Sequence, residues 1–79
     1  MIYSDEIVRQ VWERARVIFG FDPDKYRKDK YDKWIIRSEY GNRLSKLGWE
    51  IGPDDPRKGN EPENLIPLQW ENYAALYDK

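Results

Sequence analysis

The chain has 79 residues, with 14 basic and 15 acidic side chains, four tryptophans, six tyrosines, and neither cysteine nor histidine. That inventory excludes disulfides, Cys/His zinc sites, thiol nucleophiles and every imidazole-based mechanism, leaving apolar packing to hold together one small domain. The net charge of −1 conceals a basic middle: residues 25–46 carry eight basic against three acidic side chains, while residues 47–79 carry three against seven.

Charged residues make up 37% of the chain, but the signs are balanced and the aromatics recur along its whole length, so a folded domain is expected rather than disorder. No apolar run is long enough to span a bilayer, and Met1 to Glu6 lacks the character of a signal peptide, so no membrane partner is expected. The absence of cysteine fits a cytoplasmic, intracellular location.

In chain order, Ser4 suits a helix N-cap, with Asp5 and Glu6 in the first turn where the helix dipole favours negative charge. Ile7, Val8, Val11, Trp12, Ala15, Ile18 and Phe19 recur at helical spacing before Gly20, which predicts a first helix over about 4–19. Ordinary core packing explains that stripe. Phe21 to Asp24 reads as a turn or a short helical start. Tyr26 to Arg37 reads as a β-hairpin with its turn at Asp29–Lys33, because Trp34, Ile35 and Ile36 favour a strand.

Tyr40-Gly41-Asn42 punctuates the chain, and a short segment through Leu44 and Leu47 ends at Gly48. Trp49-Glu50-Ile51 reads as a brief strand, and residues 52–63, with three prolines and two glycines, as a polar loop. Pro67 suits the first turn of a final helix. Trp70, Tyr73, Ala74 and Tyr77 form its stripe, edged by Leu68 and Leu76. The expected fold is α+β over residues 1–79: an N-terminal helix within 1–20, then a hairpin and a ββα-like unit within 25–79.

From about Asp22 to Asp78 the residues resemble a subset of HNH endonuclease domains. The resemblance rests on Tyr26-Arg27-Lys28-Asp29, Trp34-Ile35-Ile36-Arg37, Tyr40-Gly41, Gly48-Trp49-Glu50-Ile51 and Asn64-Leu65-Ile66-Pro67-Leu68-Gln69-Trp70-Glu71-Asn72. In such nucleases a strand ending Trp-Glu-Ile runs into Asp-His, which supply a metal ligand and a general base. A later Asn braces the loop, and a His or Asn on the last helix completes the metal site. The metal neutralises charge on the scissile phosphate while the base activates water.

By this resemblance the two chemical positions after Ile51 hold Gly52 and Pro53, and the helix ligand position holds Tyr73. Leu76 stands where related sequences often carry Lys. Trp49, Ile51, Asn64, Leu65 and Trp70 keep the frame, and Asn64 keeps a bracing role. The expectation is a catalytically inactive module without cofactor or metal, with Tyr73 filling the vacated pocket. Asp54, Asp55, Glu61 and Glu63 offer a compensating cation site of oxygen ligands, but Pro-rich loops more often hold such carboxylates in solvated turns. Ser4, Ser38 and Ser45 have no imidazole to activate them.

Two surfaces are candidates for binding. One is the loop carrying Asp54, Asp55, Arg57, Lys58, Glu61 and Glu63; the other is the hairpin carrying Arg27, Lys28, Lys30 and Lys33, with Tyr31 at its tip. The expected partner is a protein. An acidic surface on a nuclease-like frame suits a phage or mobile-element inhibitor of a bacterial nuclease or defence system. The alternative is nucleic-acid binding without cleavage through residues 25–46, with Tyr26, Tyr31 and Trp34 as stacking groups; the isoelectric point near 5.4 opposes it.

Overall fold

Ser4 opens the first helix as predicted. In the computed structural model, which describes residues 3–78, its hydroxyl accepts from the Ile7 amide at 3.2 Å and α1 runs over Asp5–Trp12. Met1 and Ile2, part of the segment read against a signal peptide, and Lys79 lie outside the described residues. Among the described residues no helix is long and apolar enough to cross a membrane.

The helix stops at Trp12, not at residue 19. Its last carbonyls are taken by a residue far along the chain: Arg27 donates from Nη1 to the carbonyls of Trp12, Glu13 and Ala15 and from Nε to that of Pro23. Arg16 then exchanges two backbone hydrogen bonds with Lys28, at 2.9 and 3.0 Å, so the chain has turned extended. The helical spacing of Ile18 and Phe19 is therefore incidental, and Phe19 is wholly exposed.

β1 (Tyr26–Lys28) and β2 (Trp34–Ile36) pair antiparallel in the register Tyr26↔Ile36, Arg27↔Ile35 and Lys28↔Trp34. The turn is built on Asp29, whose Oδ1 accepts from the amides of Tyr31 and Lys33. Asp32 takes a left-handed conformation there (φ 70°), which aspartate tolerates better than bulkier residues.

β3 (Trp49–Pro53) is longer than the predicted strand and pairs antiparallel with β4 (Leu65–Gln69), joining Ile51 to Pro67 and Gly52 to Ile66. Pro67 therefore lies in a strand, where a helix start was expected. A two-stranded sheet leaves one side of each strand unpaired, and proline is tolerated there. The last helix, α2 (Trp70–Tyr77), begins after Gln69, whose side chain accepts from the amides of Glu71 and Asn72. The loop between β3 and β4 is tightened by single 3₁₀ turns over Pro56–Lys58 and Pro62–Asn64.

The result is the expected α+β order of helix, hairpin, hairpin and helix. Paired residues of an antiparallel sheet point to the same side. Trp49, Ile51 and Leu65 thus face the core with Val11, Trp12, Ala15 and Ile35, while Gly52 and Leu68 face the opposite side. Trp12 and Trp49 meet with ring centres 5.5 Å apart, and Tyr40 lies 4.9 Å from Trp49. Both buried indoles are satisfied: Trp12 donates to the Pro23 carbonyl and Trp49 to that of Ile36.

Candidate functional site

On the side of β3–β4 away from the core, α2 lies against the sheet and the cleft between them is full. A Cβ placed on Gly52 would come within 3.2 Å of the Leu68 side chain and of the rings of Tyr73 and Tyr77. That closeness of approach is what glycine permits here. The two tyrosine rings lie 5.3 Å apart, and the Tyr77 hydroxyl donates to the Pro53 carbonyl at 2.7 Å. Burial first, then the nearby negative groups, pushes the Tyr77 phenol above the ordinary tyrosine value. Gly52 and Tyr73 are thus brought together, and Tyr77, read only as part of a packing stripe, joins them and reaches the Pro53 carbonyl.

Asn64 is buried at the base of the long loop. Its Oδ1 accepts from the Asp55 amide, and its Nδ2 donates to the carbonyls of Asp55 and Gly59 at 2.9 and 2.8 Å. One amide side chain thereby braces both limbs of the loop. Leu76, beyond this cleft, is exposed.

The loop carboxylates do not converge. Asp54 pairs with Lys30 at 2.6 Å, and Asp55 pairs with Arg57, whose hydrogen bonds hold its carboxyl below the usual range. Glu61, Glu63 and Lys58 are exposed. No cluster of three acidic side chains suited to a metal ion occurs among the described residues.

The hairpin cations are also engaged. Arg27 is spent on the end of α1 and lies over the Trp12 ring. Lys28 shares Asp32 with Arg16, and both bonds hold the Asp32 carboxyl down, Lys28 foremost. The hydrogen bond to Asp54 raises the Lys30 ammonium above its usual value and ties the hairpin to the acidic loop. Lys33 is exposed and makes no ion pair among the described residues; Tyr31 is half exposed. The two candidate surfaces are therefore adjacent and partly neutralise each other.

Compared with known protein families, characterised proteins and solved structures, the chain matches none. What it does is thus argued from its own residues.

One residue that sequence reasoning passed over joins the halves of the molecule. Asp29 is 1% exposed, and besides the turn amides it accepts, through Oδ2, from the Gln69 amide and the Asn72 side chain, both at 2.9 Å. Four donors on one buried carboxylate fix the hairpin turn to the start of α2. A signal was present in the Asp before a turn, but its second set of partners lies forty residues on.

The other omission is a surface. Phe21 packs at 4.6 Å from Trp34 and 6.2 Å from Tyr26 on the outer side of β1–β2, and Phe19 stands free two residues earlier. Helical spacing had assigned Phe19 to the core. The Phe-Gly-Phe sequence beside Asp-Pro was the available sign of a loop.

Proposed function

We propose that this chain is a catalytically inactive, HNH-like module that acts by binding another protein. The observation that carries the reading is the cleft between β3 and α2, where Gly52 lies beneath Tyr73 and Tyr77. Gly52, Pro53 and Tyr73 hold the positions to which the resemblance assigns metal and base chemistry. The cleft presents a glycine hydrogen and phenol edges in place of ligands, with Tyr77 tied to the Pro53 carbonyl. A carboxylate–imidazole pair that holds a metal and activates water has no counterpart here. The order β3, β4, α2 and the Asn64 brace further support the resemblance.

Protein binding is favoured over nucleic-acid binding because three of the four candidate hairpin cations, Lys28, Lys30 and Arg27, are spent internally, on Asp32, Asp54 and backbone carbonyls. Phosphate binding draws on free cations and weakens steeply with salt. An inhibitor of a nuclease or defence system, of phage or mobile-element origin, is the role this frame suits best.

Two assays test the reading. Incubation with supercoiled and single-stranded DNA in Mg²⁺, Mn²⁺ or Ni²⁺ is expected to leave both uncut. Cleavage abolished by Asp54→Ala or Asp55→Ala would overturn it. Tagged chain recovered from a nuclease-treated bacterial lysate is expected to bring down a stoichiometric protein. Recovery of none, together with a salt-sensitive gel shift on DNA, would transfer the function to nucleic-acid binding.

A further inference from the structure

The outer side of β1–β2 has no element packed over it. Register places Tyr26, Lys28, Trp34 and Ile36 on that side, while Arg27 and Ile35 point the other way. Phe21, Tyr26, Trp34 and Leu47 line an open groove of about 350 Å³. Its walls are almost wholly carbon, and its size is at the lower end for a pocket that takes an organic group, about 300–1,000 Å³. Phe19, two residues from Phe21, is 100% exposed. A fully solvated phenylalanine next to an open aromatic groove contributes nothing to folding, and such contiguous apolar surface marks a site of association.

The charge around the groove selects the occupant. Lys25 sits 5.3 Å from the Tyr26 ring centre and Lys28 sits 4.8 Å from that of Trp34. Lys33 adjoins Trp34 in sequence, and Lys46, which adjoins Leu47, lies 3.7 Å from the Glu71 carboxylate. Lys25 and Lys33 make no ion pair among the described residues. Of three nearby carboxylates, Asp24 pairs with Arg37 and Asp32 with Lys28 and Arg16, while Asp22 accepts from the Asp24 amide and keeps its charge. Among the described residues, the unpaired charges near the groove are therefore Lys25 and Lys33 against Asp22, a positive balance.

A base-stacking strand fits this surface less well than a side chain does. Trp34 already carries Phe21 and Lys28, and Tyr26 carries Lys25, so a base would displace these groups in order to stack. The groove itself is a slot for an aliphatic or aromatic side chain with anions beside it.

We propose that the Phe19–Phe21–Tyr26–Trp34 surface docks an acidic segment of a partner protein, with one apolar side chain of that segment seated in the groove and its carboxylates on Lys25 and Lys33. This deepens the protein-binding reading and rests on it. A buried aromatic anchor supplies the affinity, and the lysine rim supplies sign selectivity and rate of encounter.

The test uses the whole chain and short labelled peptides: a Phe flanked by Glu and Asp, the same peptide with Ala for Phe, a Lys-flanked counterpart, and an oligothymidylate. Fluorescence anisotropy gives affinity and amide and indole NMR shifts give location. The acidic Phe peptide is expected to saturate, with shifts confined to Phe19, Phe21, Tyr26, Trp34 and Leu47. Phe19→Ser and the double change Lys25→Glu with Lys33→Glu are each expected to weaken it about tenfold while leaving the melting temperature unchanged.

Equal binding of the Lys-flanked or Ala peptide, tighter binding of the oligothymidylate, self-association abolished by Phe19→Ser, or no saturable binding would each overturn the proposal. Should the peptides fail while wild type and Phe19→Ser capture the same lysate protein equally, this surface falls and the protein-binding reading stands. Should capture fail as well, both fall.

Discussion

Tyr73 and Tyr77 press their rings onto Gly52 between β3 and α2, whereas Phe21, Tyr26 and Trp34 gather on the open side of β1–β2, with Phe19 wholly exposed two residues before Phe21. Both groups are aromatic and both lie outside the main core of Trp12 and Trp49. In the first, the rings fill the space between two elements and the Tyr77 hydroxyl is tied to a backbone carbonyl. In the second, the rings leave a groove unfilled and carry lysines on their faces. Rings of the first kind are closed in by packing; rings of the second kind border an open groove.

Substitutions separate the two. The largest effect is expected where the regions are joined. Asp29→Ala leaves four donors, one buried and three partly buried, without their acceptor and should cost about 3–5 kcal/mol in urea unfolding. Gly52→Ala drives a methyl group into Leu68, Tyr73 and Tyr77 and should cost about 1–3 kcal/mol. An unchanged or raised stability for this variant would mean that the cleft is looser than the tyrosine packing implies.

Tyr77→Phe removes one hydrogen bond and should cost about 1 kcal/mol at neutral pH. Its pH dependence carries further information. The folded phenol titrates above the ordinary 10.0, so the native state favours the neutral form. The stability it adds is fully present below 10 and is lost as pH rises through the raised value. Alkaline unfolding of the wild type should thus include a step that Tyr77→Phe lacks. Phe19→Ser should change stability by no more than about 0.5 kcal/mol, because nothing packs on that ring.

Local features were legible in the chain. Ser4 as a cap, the Asp29–Lys33 turn, the strand preference of Trp34–Ile36, and the apolar alternation of Trp49 and Ile51 each act within a few residues, and each element formed where expected. The errors came from distant partners. α1 ends early because Arg27 and Lys28 claim the backbone that helical spacing had assigned to the helix. Pro67 resembles a helix start until β3 is present to pair with it.

The candidate cleft was legible in part. Gly52, Pro53 and Tyr73 were marked through the resemblance; Gly52 and Tyr73 meet, while Pro53 takes part through its carbonyl. Tyr77's contribution was not visible, since its bond to the Pro53 carbonyl spans the long loop and the whole of β4. The charged surfaces were misjudged in a different way. Counting gave residues 25–46 a strong positive balance, but Lys28, Lys30 and Arg27 are engaged internally, and only coordinates reveal such pairing.

The tyrosine-filled cleft is tested most directly by thermal melting of the wild-type chain in EDTA and in Mg²⁺, Mn²⁺ or Ni²⁺. Side chains that occupy the cleft predict one midpoint under all four conditions. A rise of several degrees with any of these ions, lost in Asp54→Ala, would contradict it, because an ion bound only by the folded chain stabilises that chain by RT ln(1 + [L]/Kd).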